Sequence, residues 1–174
     1  MGYTGGTQAN PTYYALGDHT ETVQIDYDPA VISYEELLEV FWAAHNPTQR
    51  NYSRQYANVL FYHTEDQERL ARDSADRMAE ALGSEVRTEL LPAGTFYLAE
   101  DYHQKYYVRN NQALWPEIAR YYEGDDAGLV ASTVAARLNC YLGGHGQIAE
   151  FEAIADEMGL SEEGLAHVRR LLGG

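Results

Sequence analysis

The chain has 174 residues, 45 % of them apolar and 12 % aromatic, which suits one globular domain or one domain plus an appendage. Twenty-seven acids against 12 bases give a net charge of −15, arguing against nucleic acid and against an anionic membrane surface as partners. Lys105 is the only Lys among the bases, a composition that fits either a protein kept soluble in high salt or an ordinary acidic one. The single cysteine, Cys140, cannot form an internal disulfide, so a reducing cytoplasm is the expected compartment. The first residues, MGYTGG, lack a basic and an apolar leader region, and no apolar run approaches the ~20 residues of a membrane span.

Taken in chain order, residues 1–19 are rich in Gly, Thr, Asn and Pro and predict an irregular loop. Thr20 to Tyr27 alternates, with Val23, Ile25 and Tyr27 on one face, and predicts a half-buried strand. Ser33 and Glu36 have capping-box spacing, and Tyr34, Leu37, Leu38, Phe41, Trp42 and His45 form one helical stripe that Asn46-Pro47 ends. Gln55–His63 predicts a second strand, Thr64–Leu82 a helix closed by Gly83, and Val86–Leu91 a third strand. Tyr97–Asn110 is aromatic, charged and helical in part. Glu123–Asp126 marks the expected end of a core over residues 1–124. Short amphipathic helices are expected beyond it, over Leu129–Leu138, Ile148–Met158 and Leu165–Leu172, in a helical extension over 125–174. Alternating strands and helices predict an α/β or α+β fold, with α+β preferred: a small mixed sheet with helices packed on it.

The densest polar cluster is Asp18-His19-Thr20-Glu21. His19 and Glu21 share a strand face, which allows three readings: a metal site, a solvated loop, or a carboxylate poised as a general acid. No second His at suitable spacing completes a metal set, so no metal is expected. Cys140 is expected to be a small buried hydrophobe, although a lone thiol also invites an enzymatic reading. Gly143-Gly144-His145-Gly146 lacks the Lys and Ser/Thr of a phosphate loop.

Five segments over residues 2–110, GYTGG, NPTY, HTE, YDPAVISYEELLEVFWAAHNPTQ and FYLAEDYHQKY, resemble, in order, motifs of the peptide-methionine (S)-S-oxide reductase (MsrA) family. GYTGG at 2–6 and NPTY at 10–13 are similar to two consecutive loop motifs. HTE at 19–21 resembles the family's GHAE, with Thr20 in place of Ala. YDPAVISYEELLEVFWAAHNPTQ at 27–49 is similar almost word for word to the strand and helix that follow, and FYLAEDYHQKY at 96–106 to the closing motif. The resemblance implies a ferredoxin-like MsrA core and reduction of methionine-(S)-sulfoxide, free or in oxidised proteins and peptides. It implies that Glu21 protonates the sulfoxide oxygen and that Tyr13 and Tyr56 hydrogen-bond it. No bound cofactor is implied; thioredoxin or a similar dithiol would be the external reductant, and a monomer is expected.

Three departures matter. The family's GCFWG nucleophile motif is absent, so a core lacking its first strand and no turnover by the chain as given are expected. The common QGNDxGTQYRS stretch is shortened to RNYSRQY. Residues 125–174 lie outside the core motifs. Met1 is therefore expected to be an internal position preceded by ~40 further residues, room for a strand of ~5–6 residues, the cysteine turn and a helix. Two rival readings remain: a pseudoenzyme or binding module for oxidised methionine, and Cys140 as a relocated nucleophile.

Overall fold

Helix positions follow from local chemistry. α1 (Tyr34–Ala43) begins at Ser33, whose hydroxyl accepts from the Glu36 amide while the Glu36 carboxylate accepts from the Ser33 amide. α2 (Glu65–Leu82) is capped by Thr64 and ends where Gly83 turns left-handed at φ 59°, a conformation that costs a side-chain-bearing residue energy. Leu38 and Trp42 of α1 pack with Ala71 of α2, and the Trp42 indole donates to Ser74 Oγ at 3.0 Å. A computed structural model describes residues 1–173.

Strands are fewer in residues than the pattern predicts, and they divide between two sheets. β1 (Gly2–Thr4) lies between β2 (Thr20–Thr22) and β5 (Tyr97–Leu98), antiparallel to both. β3 (Val59–Tyr62) runs parallel to β4 (Glu89–Pro92), with α2 as the crossover between them. The fold is α+β, as the alternation predicts. The strand expected over Thr20–Tyr27 stops at Thr22, and Val23 and Ile25 are 69 % and 61 % exposed. The reason is the partner: β1 is three residues long, and a strand extends only where a neighbour takes its hydrogen bonds. Conversely, β1 falls in the segment expected to be loop.

The chain divides into two units, Met1–Glu100 and the residues from Asp101 onward. The first has two small apolar clusters, one around Leu38, Trp42 and Ala71 and one around Tyr3, Leu16 and Ala99. The second is helical: α3 (Tyr106–Asn110), α4 (Trp115–Tyr121), α5 (Asp126–Ala131), α6 (Thr133–Leu142), α7 (Ile148–Glu152) and α8 (Glu162–Leu171). These helices enclose one cluster that includes Val108, Leu114, Ile118, Leu138, Phe151 and Val168. Ser161 caps α8 by accepting from the Gly164 amide. Glu123–Asp125 lie between α4 and α5, and Asp126 opens α5. Cys140 is exposed, not buried. The inward stripe of α6 is Ala135, Leu138 and Tyr141, and Cys140 falls beside it at helical spacing.

Candidate active site

Each residue proposed for catalysis in the first unit has a hydrogen-bond contact with a segment distant in sequence. The loop before β2 is shaped from within. His19, 1 % exposed, accepts from the Gly6 amide at Nδ1 (3.2 Å) and donates from Nε2 to the Gln8 carbonyl (2.8 Å). Both ring nitrogens are thereby committed to backbone, which removes the metal reading of this histidine. Asp18 accepts from the Thr7 amide and hydroxyl and the Gln8 amide, and these bonds, the Thr7 amide first, lower its carboxyl to about 2. Gly5 turns at φ 82° against the Phe61 ring, leaving no room there for a Cβ.

Tyr13 sits in a tight turn, with the Ala15 amide donating to the Thr12 carbonyl at 3.0 Å. Its own amide donates to Glu100 Oε1 at 3.0 Å, while the buried Tyr3 hydroxyl donates to Glu100 Oε2 at 2.6 Å. One carboxylate thus ties the NPTY turn to β1 by charge-assisted bonds.

Glu21 and Tyr56 are brought together by the short segment before β3. The Glu21 amide donates to the Gln55 carbonyl at 3.0 Å, and the Thr20 hydroxyl donates to the Arg54 carbonyl at 3.0 Å. Arg54 reaches the other sheet, where its guanidinium pairs with Glu89 at 2.8 Å. The Gln55 amide nitrogen lies 2.6 Å from Glu21 Oε1 and 3.1 Å from the Tyr56 hydroxyl. The Tyr13 and Tyr56 hydroxyls are 3.5 Å apart. The hydrogen bond to Tyr13, then desolvation and the nearby Tyr13 and Glu21 charges, push the Tyr56 phenol up to about 12, so it holds its proton across the physiological range.

Glu21, Tyr13 and Tyr56, chosen from sequence, therefore converge on one face of the first unit. Tyr56 is 63 % exposed, so a ligand can reach it. What the arrangement offers chemically is a carboxyl group beside two phenolic hydroxyls, suited to donating to a polarised oxygen. Sequence reasoning missed Gln55 and Glu100. Gln55 adjoins Tyr56 in the QY pair, and Glu100 lies within the quoted FYLAEDYHQKY segment; nothing local marks either as bridging. Cys140, the chain's one thiol, belongs to the second unit.

Two family models together cover residues 1–172 and meet between residues 123 and 124. A family model described as "Peptide methionine sulfoxide reductase" matches residues 1–123. Another, "Selenoprotein methionine sulfoxide reductase A, helical domain", matches residues 124–172. A "Peptide methionine sulfoxide reductase" of Drosophila melanogaster is 41 % identical over 163 residues, covering 92 % of this chain and 65 % of the relative. "Peptide methionine sulfoxide reductase A5" of Oryza sativa subsp. japonica is 39 % identical over 147 residues, covering 81 % of this chain and 57 % of the relative. The chain thus spans less than two-thirds of the length of these relatives. The solved structure of Mxr1 from Saccharomyces cerevisiae, in an unusual oxidized form, is similar with a TM-score of 0.50 and 29 % identity, covering 64 % of this chain and 66 % of that one. With more than half of its residues matched by the family model, this chain belongs to the peptide methionine sulfoxide reductase family.

Proposed function

We propose that this chain carries the oxygen-handling half of a reductase for methionine-(S)-sulfoxide, acting on oxidised proteins and on the free amino acid in protein repair after oxidative stress. The observation that carries the reading is the convergence of Glu21, Tyr13 and Tyr56 through Gln55. A sulfoxide oxygen leaves sulfur readily only once protonated. Glu21 as a carboxylic acid supplies that proton, and the two phenols donate to the oxygen as the S–O bond lengthens. A thiolate attacks the sulfur, so that sulfoxide plus thiol gives thioether plus sulfenic acid. Two further thiols, from thioredoxin or a similar dithiol, reduce the sulfenic acid to thiol with loss of water and become a disulfide. The protein acts as a monomer in a reducing cytoplasm.

The nucleophile belongs to a GCFWG-type motif that these 174 residues do not contain. The chain by itself therefore binds the sulfoxide and does not turn it over. The same absence favours the second reading, a binding module for oxidised methionine. Titrating N-acetyl-methionine sulfoxide epimers into the labelled chain with excess dithiothreitol separates these readings from their negation. Saturable binding of the S epimer without reduction is expected. Equal response to both epimers, or to neither, refutes both. In a form that includes the cysteine motif, Glu21→Gln is expected to lower kcat by about 10²–10⁴ at unchanged melting temperature. An unchanged rate refutes the acid assignment.

A further inference from the structure

We propose that Gln55 is the positioning residue of this site, holding Glu21 and Tyr56 in one hydrogen-bonded frame so that only Glu21 Oε2 remains to carry a transferable proton; this rests on the function proposed above.

A primary amide nitrogen has two N–H donors, and the Gln55 nitrogen has two oxygens within reach: Glu21 Oε1 at 2.6 Å and the Tyr56 hydroxyl oxygen at 3.1 Å. Both amide hydrogens are therefore spent inside the frame. The Gln55 amide nitrogen faces Oε1, and an amide nitrogen donates only, so it requires an acceptor at that position. Oε1 is then an acceptor in both protonation states of Glu21, and the acid proton is confined to Oε2.

The same logic orients the phenol. Tyr56 oxygen accepts from Gln55, so its own hydrogen points elsewhere, toward the Tyr13 hydroxyl 3.5 Å away or toward an incoming oxygen. That separation is at the outer limit of a hydrogen bond, so a ligand oxygen can displace it at little cost. Gln55 thus aims two protons, one on Oε2 and one on Tyr56, without touching the ligand itself.

The backbone makes Gln55 suited to the task. Its carbonyl accepts from the Glu21 amide at 3.0 Å, so the amide side chain and the carboxyl it holds spring from hydrogen-bonded residues. The Arg54 carbonyl is anchored in turn by Thr20, and the Arg54 guanidinium by Glu89. The anchor explains how a segment shortened relative to the family pattern still presents Gln55 and Tyr56 in register.

The test uses the whole 174-residue chain, labelled with ¹³C and ¹⁵N. The two side-chain amide protons of Gln55 are expected at separate positions. Glu21→Gln should shift one of them, and Tyr56→Phe should shift the other. If either substitution leaves both protons where they were, the frame is wrong and the proposal falls. In a second arm, N-acetyl-methionine sulfoxide is titrated into the parent and into Gln55→Leu. Loss of the frame is expected to weaken binding about fivefold to tenfold while the backbone amide spectrum away from the site is preserved. Equal affinity of the two overturns the positioning role. Should the parent not bind this probe at all, the proposed function fails, and the amide-proton arm still decides whether Gln55 bridges the two side chains.

Discussion

Thr20→Val isolates one link that sets the site. Thr20 is 2 % exposed, and its hydroxyl donates to the Arg54 carbonyl at 3.0 Å, immediately before Gln55 and Tyr56. Valine keeps the side-chain shape but has no donor, so it removes a neutral hydrogen bond, worth about 0.5–1.5 kcal/mol net. It also leaves a carbonyl short of a partner in a half-buried segment, which brings the expected loss to about 1–2 kcal/mol. For a unit of this size each kcal/mol corresponds to ~4–8 °C in Tm, so a drop of roughly 4–16 °C is expected. Trp42, buried against α2, reports on this unit in a Trp115→Phe background, which removes the other tryptophan. Thr22→Val is the control: its hydroxyl donates to the Thr20 carbonyl two residues away, and its loss is expected to cost less than about 0.5 kcal/mol. The reasoning is refuted if Thr20→Val and Thr22→Val have the same Tm, or if Thr20→Val leaves the Gln55 and Tyr56 resonances unmoved.

Asp18 gives a pH prediction with a definite sign. Its carboxyl is lowered to about 2 from an ordinary 3.8 by the Thr7 amide and hydroxyl, so its stabilising effect is fully present above pH 3.8 and is lost as pH falls through about 2. Asp18→Asn should flatten the stability profile between those values, and an unchanged profile would count against the carboxylate as the loop's anchor. In the second unit, Phe151 is fully buried with its ring 5.5 Å from that of Tyr141, so Phe151→Ala is expected to cost about 3–5 kcal/mol, followed by Trp115 fluorescence in a Trp42→Phe background. A loss below about 1 kcal/mol would mean that this cluster does not hold the helical unit together.

Helices were legible because their signals are local. Ser33 with Glu36, Thr64 and Ser161 each cap within three residues, and Gly83 ends α2 at the position its sequence marks. Glu21, Tyr13 and Tyr56 were legible for a different reason: their motifs resemble those of a known family, in order along the chain. Strand extents were not legible. Thr20–Tyr27 has an alternating pattern, yet alternation describes a face and not a partner, and β1 offers pairing only to Thr22. Cys140 shows the same limit, since an apolar-leaning side chain next to a buried stripe need not belong to it.

By itself the sequence determined the α+β class, the caps and the family, and it nominated Glu21, Tyr13 and Tyr56 as candidate site residues. Tertiary structure alone decided how those side chains are held. Glu100 reaches Tyr13 across 87 positions, Gln55 reaches Glu21 across 34, and Gly2–Thr4 becomes a strand only because segments as distant as Tyr97–Leu98 pair with it. Caps and helix stripes are satisfied within a few residues. Hydrogen bonds between segments exist only after loop closure has been made favourable by packing elsewhere in the unit.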